Sequence, residues 1–171
     1  MTRSYPLALL PVLALAACGS KEREQTIRTA DGSSMKIEQR EDGDGAKITA
    51  TSKDGKQIAM MTAGPGSKWP ADAAPYAPAY PGGEVTGSMG GTAADGTGSI
   101  VTFTTADSPD KVVEFYKARA QAAGLNEVST MDINGAKMFS ASDKGGGRSI
   151  AVQTSVNTGK TTAVVTSGSK K

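Results

Sequence analysis

A chain of 171 residues with 37% apolar residues, 21 Gly and 8 Pro fits one ordinary domain or two very small ones, rich in turns and modest in core. Nineteen Lys and Arg against 17 Asp and Glu leave a net charge of +2, so charge does not mark a nucleic-acid binder. With no His and one Cys, the chain lacks imidazole bases, His-containing triads, zinc sites built on His or Cys, and any internal disulfide.

The N-terminus carries Arg3, then an apolar run from Leu7 to Ala17, then Cys18-Gly19-Ser20. A positive start, a short apolar stretch and small residues before a cut site predict a secretory signal peptide over 1–17. The run is about half of the ~20 residues that a bilayer span needs. Its end, Leu15-Ala16-Ala17-Cys18, resembles the lipobox of bacterial lipoproteins. That resemblance implies cleavage between Ala17 and Cys18, a diacylglyceryl group on the Cys18 sulfur and fatty acylation (palmitate or a similar chain) of the new amino group. Two or more chains hold a protein stably on a membrane. Gly19 stands where Asp favours inner-membrane retention, which resembles the outer-membrane class. The implied location is the periplasmic face of the outer membrane, or the outer face of the cytoplasmic membrane.

Residues 18–24 are small and charged and read as the lipidated tether. Over 25–63, Asp31-Gly32, Asp42-Gly43-Asp44-Gly45 and Asp54-Gly55 punctuate short alternating runs at hairpin spacing. Met35 and Ile37 alternate with Lys36 and Glu38, and Ile48 and Ala50 with Lys47 and Thr49. This predicts a small β-meander with one wet face and one thin apolar face, which must pack on something else to be stable.

Residues 64–82 hold five prolines and the only Trp, and predict an extended Pro/Ala-rich connector. Two roles fit Trp69, Tyr76 and Tyr80. The rings pack the connector onto the domain body, or they form a docking strip for a partner.

Residues 83–171 predict an α+β module. Thr97–Thr105 alternates as a strand. Ser108-Pro109-Asp110 opens an amphipathic helix over about 108–123, and Gly124 ends it. Strands follow near 125–131, 136–142, 148–156 and 161–167. The expected fold is therefore α+β, an antiparallel sheet packed by one amphipathic helix and preceded by the small meander. Tyr80-Pro81-Gly82, the Thr-rich strand and the Ser108-Pro109…Val112…Phe115-Tyr116 helix resemble an uncharacterised module of exported proteobacterial proteins. The module has a Tyr-Pro-Gly approach and an S-P-x-x-V-x-x-F-Y helix, and the resemblance carries no activity.

Fragments of catalytic motifs occur out of context. Thr158-Gly159-Lys160-Thr161 lacks the upstream Gly and the following helix of a phosphate loop. Ser33-x-x-Lys36 leads into a strand, where the two side chains face opposite sides. Asp42-Gly43-Asp44-Gly45 starts like a calcium loop, but Lys53 stands where Glu is needed. Gly145-Gly146-Gly147-Arg148 is a flexible turn before it is an anion cradle, and Arg119 can stack on Phe115.

The expected function is a lipid-anchored, non-enzymatic envelope lipoprotein, a binding or positioning module facing the periplasm. No catalytic residue, cofactor or metal is assigned. The expected partners are the membrane, through the anchor, and another envelope protein or cell-wall component, with no nucleic acid. The alternative is a small envelope hydrolase using carboxylate or Ser-Lys chemistry.

Overall fold

The computed structural model describes residues 22–40 and 44–171. The predicted signal peptide, with Ala17 and Cys18, lies outside the described residues, as do Asp42 and Gly43 of the calcium-like turn. In chain order the elements are β1 (Glu22–Arg28), β2 (Ser34–Arg40), β3 (Ala46–Thr51), β4 (Gln57–Ala63), β5 (Glu84–Ala93), β6 (Gly96–Thr105), α1 (Pro109–Ala122), β7 (Glu127–Ile133), β8 (Ala136–Ser142), β9 (Arg148–Asn157) and β10 (Lys160–Lys170).

All ten strands belong to one antiparallel sheet in the order β1-β2-β3-β4-β5-β6-β10-β9-β8-β7. The expected α+β class is therefore corrected. Strands make up more than half of the described residues, and the helix spans only 14, so the fold is β-rich. The reason is the join between β4 and β5, where Ala59 to Ala63 pair with Gly91 to Gly87. The meander strands do not form a layer of their own but continue the ladder, while the helix lies over β8, β9 and β10.

The helix itself follows local rules. Ser108 caps its start, Pro109 occupies the first turn and Asp110 meets the positive end of the dipole. At its end Leu125 N–H donates to Ala120 O at 3.0 Å and Gly124 N–H to Gln121 O at 2.9 Å. Gly124 sits at φ 77°, which completes a Schellman stop. The buried face of the helix (Val112, Val113, Tyr116 and Ala120) meets Phe139, Ala141, Ile150, Val152, Ala163 and Val165 from the sheet.

Because strand side chains alternate, the sheet has two unlike faces. The inner face is covered in two ways. Over β8–β10 the cover is the helix; over β5, β6 and the end of β10 it is the connector, residues 64–83. Ser88 Oγ donates to Lys68 O at 2.8 Å, and a Cβ on Gly90 would lie 2.5 Å from Asp72 Oδ1 and 3.0 Å from Pro70. A side chain at position 90 would therefore push the connector off the strand. Cross-strand hydroxyl pairs satisfy the polar groups beneath this cover: Thr62 with Ser88 at 2.8 Å, Ser99 with Ser167 at 2.8 Å and Thr97 with Ser169 at 2.9 Å. Further along, on β1–β3, the inner face carries the ion-pair ladder Glu24–Lys36–Glu38–Lys47, with contacts of 2.8–3.2 Å.

Candidate functional site

The connector rings are anchors of the inner layer. Tyr76 and Tyr80 are buried and Trp69 packs against the core. Tyr80 stacks on Phe103 with ring centroids 5.3 Å apart and meets Phe115 edge-on at 5.1 Å, while Trp69 tilts toward Phe103 at 6.2 Å. Their polar ends are also occupied. Trp69 Nε1 donates to Ala77 O at 3.0 Å, Tyr76 hydroxyl to Gly168 O, and Tyr80 hydroxyl to Asp107 Oδ2 at 2.9 Å. The three residues that could have formed a docking strip thus turn their rings toward the core and spend their polar donors inside the chain.

Tyr80, Asp107 and Lys111 form a short polar string at the start of the helix, since Lys111 Nζ also reaches Asp107 Oδ1 at 3.1 Å. Burial, then the bond to Asp107, pushes the Tyr80 hydroxyl up to about 12. The Tyr80 hydroxyl and then Lys111 hold the Asp107 carboxyl below its ordinary value. Unfolded Tyr releases its proton near pH 10, whereas folded Tyr80 keeps it to about 12. Its contribution to stability is thus whole below pH 10 and falls away between 10 and 12. Asp107 acts with the opposite sign: its contribution is present above the ordinary carboxyl value and is lost as pH falls below it. Tyr116, raised by burial, adds to the alkaline loss. In Tyr80→Phe, thermal unfolding midpoints should fall less steeply with pH above 10, and also less steeply as pH drops below the ordinary carboxyl value, because Asp107 loses the bond that lowers it. Unchanged slopes in both limbs would show that this string does not couple to folding.

The motif fragments resolve into structure. Thr158 (φ 48°) and Gly159 (φ 78°) form the left-handed turn between β9 and β10, with no helix after it. Ser33 Oγ donates to Asp31 Oδ2 at 3.2 Å, while Lys36 Nζ lies between Glu24 and Glu38, so Ser33 and Lys36 make no dyad. In the glycine-rich loop, the Asp143 carboxylate accepts from Gly147 N–H at 2.8 Å, Arg148 N–H at 3.2 Å and Arg148 Nε at 3.0 Å. An internal carboxylate therefore fills the cradle. Arg119 lies over the Phe115 ring at 5.1 Å. Among the described residues, no group of three or more acidic or sulfur ligands is placed to hold a metal ion.

What remains is the outward face of the sheet, which neither the helix nor the connector covers. Ile27, Met35, Met61, Met89, Ile100, Met131, Ile133 and Met138 are all exposed, and the strand registers place every one of them on this side. Met61 and Met89, directly paired, are 45% and 44% exposed. Near the β5–β6 turn the face sinks into a depression of about 860 Å³, bordered by Ala59, Met89, Gly91, Gly98, Ile100 and Gly168. Sequence reading missed this site. The signal was there in the alternating Met and Ile of β2–β4, but what covers an apolar strand face is a tertiary fact.

Residues 85–167, from β5 into β10, match a family model described as START domain-like. Among curated proteins and solved structures, none matches the chain. Domains of the START-like kind are in general ligand-binding modules and not catalysts.

Proposed function

We propose that the protein is a lipid-anchored, non-catalytic envelope module that docks a partner on the outward face of its sheet. One observation carries the binding role: a charge-poor Ile/Met face spanning many strands, covered by neither helix nor connector, while on the opposite face the two close the region from β5 to β8. Typical monomers expose apolar patches of about 300–600 Å² at most, and larger ones mark interaction surfaces. The START-like match over β5–β10 supports the same reading.

The anchor is the Cys18 thiol in Leu15-Ala16-Ala17-Cys18. The described sheet begins at Glu22, so the tether spans on the order of 14 Å at most and keeps the folded part beside the membrane surface, on the periplasmic side of the outer membrane. Two measurements test the whole. Cys18→Ser should shift the chain from the membrane to the soluble fraction as an uncleaved precursor; full membrane retention at mature size would refute the anchor. In intact envelopes Met61 and Met89 should oxidise several-fold more slowly than in the urea-unfolded chain, beyond what half-exposure gives. Oxidation at the rate of free methionine would refute a docked face.

A further inference from the structure

The outward face has a regular relief. Ile37, Ile48, Met61, Met89 and Ile100 stand directly opposite one another on β2 to β6 and form a ridge across five strands. Two residues along each strand, Ala50, Ala59, Gly91 and Gly98 form a parallel low stripe. The chain's own packing does not demand glycine in all of that stripe. A Cβ on Gly98 would come no closer than 3.6 Å to anything, Ser167 O being nearest, and Gly98 has no left-handed φ. Gly90, on the inner face of β5, is the contrast, since a Cβ there would collide with the connector.

The electrostatics are equally one-sided. From β2 to β8 the ridge, the stripe and the row on the ridge's other side carry no Asp, Glu, Lys or Arg, as sequence and register show. Glu24, Lys36, Glu38 and Lys47 lie on the inner face instead, while Arg23 of the edge strand β1 stands at the outward margin. Trp69, Tyr76, Tyr80 and Tyr116 are also all on the inner side. A face meant for a bilayer surface would carry a belt of aromatic residues at its margin. A face meant for a charged partner would carry complementary charge.

We propose that the occupant of this face is a second copy of the chain, stacked face to face as a β-sandwich. This rests on the reading of the outward face as the docking surface. A two-fold axis in the interface plane, running across the strands between ridge and stripe, sets each ridge into the other copy's stripe. Met89 then lies over the second copy's Gly91, Ile100 over its Gly98 and Met61 over its Ala59. This arrangement is isologous, as a closed dimer requires. The rows that meet are free of like-charge contacts because, from β2 to β8, they hold no charged residue; the charges of this face, such as Arg23 and Lys170, stand at its margin. The eight strands from β2 to β8, about 4.8 Å apart and about six residues deep, present on the order of 800 Å², which matches a standard stable interface of about 800 Å² per partner. Aligned sheets pack about 10 Å apart with interdigitating side chains, which Met and Ile beside Gly and Ala allow.

The test uses the full chain, processed and membrane-bound in its host cell, with a photo-reactive benzophenone amino acid in place of Met89. The expected product is one adduct of twice the chain mass, its cross-linked peptide mapping to 84–105 or 57–63 of the same sequence. The same probe in place of Thr49, on the inner face of β3, should give none. Two second-site changes probe the geometry. Gly98→Val fills the stripe where a Cβ has room within one chain, and Ile100→Glu buries an unpaired carboxylate only if the faces meet. Each should lower the adduct by about tenfold or more while protease resistance of the folded chain is kept. An adduct that persists through both changes, or that maps to the inner face, overturns the sandwich. Capture of a phospholipid or of a different protein overturns the second copy but leaves the docking face standing. No adduct of any kind overturns both.

Discussion

Phe103→Ala should destabilise the protein by about 3–5 kcal/mol, the cost of emptying a fully buried aromatic site. Phe103 has no exposed surface and is the ring on which the two covers of the inner face meet. Tyr80 stacks on it, Trp69 tilts against it from the connector, and Tyr116 approaches from the helix at 6.5 Å. Gly83 also comes close enough that a Cβ there would sit 2.9 Å from Phe103 Cδ2, so the connector is fitted around this ring. Removing it leaves a cavity lined by three aromatic side chains that are themselves tied down by hydrogen bonds and cannot collapse into the space. A domain of ordinary stability holds about 5–15 kcal/mol in all, so the variant should sit near the limit of folding. Urea unfolding followed by Trp69 fluorescence would measure the change. A loss below about 1 kcal/mol would mean that the connector is held without Phe103.

The second large effect is a contrast between adjacent residues of β10. Val165→Asp should abolish folding, whereas Val164→Asp should cost no more than about 1 kcal/mol. Val165 is 1% exposed, in the core under the helix. Val164 pairs with Thr102 and Gln153 on the outward face. A carboxylate at 165 would be buried with no cation in reach, a cost of several kcal/mol before any strain. At 164, in a single chain diluted until copies are apart, it would meet water at one side of the ridge. Soluble yield and urea midpoints of the two variants would separate these outcomes. Equal damage from both would mean that the outward face is as deeply buried in the single chain as the inner one.

Much of this architecture is written locally. The helix could be read because Ser108, Pro109 and Gly124 set its ends by short-range chemistry, and the strands after it follow from alternation bounded by Asn-Gly and Gly-rich turns. β5 could not. Gly87, Gly90 and Gly91 lower strand propensity, and the reason for Gly90 is the connector pressed against it, which no local pattern records. Missing β5 hides the join to β4, and with it the fact that the meander and the later strands are one sheet. That is why a helix-packed α+β module plus a separate meander was the expected arrangement. The connector rings were legible as aromatic residues among prolines, a composition that suits packing and docking equally. Only the bonds to Asp107 and Gly168 decide where they point. The Ile and Met of β2–β4 could be seen to want cover, but the sequence does not say that the helix and the connector both lie on the other face.

The order of strands also shapes how the protein assembles. Every neighbouring pair but one is joined by a hairpin turn or by the connector. The exception is β6 with β10, where Thr105 pairs with Thr161 and the helix and three strands intervene. Hairpins close within microseconds, whereas a contact between distant segments must first overcome loop-closure entropy. The slow event is thus the meeting of β6 and β10, and until it happens the two halves are separate ribbons with unprotected edges. That interval is when a chaperone has most to hold.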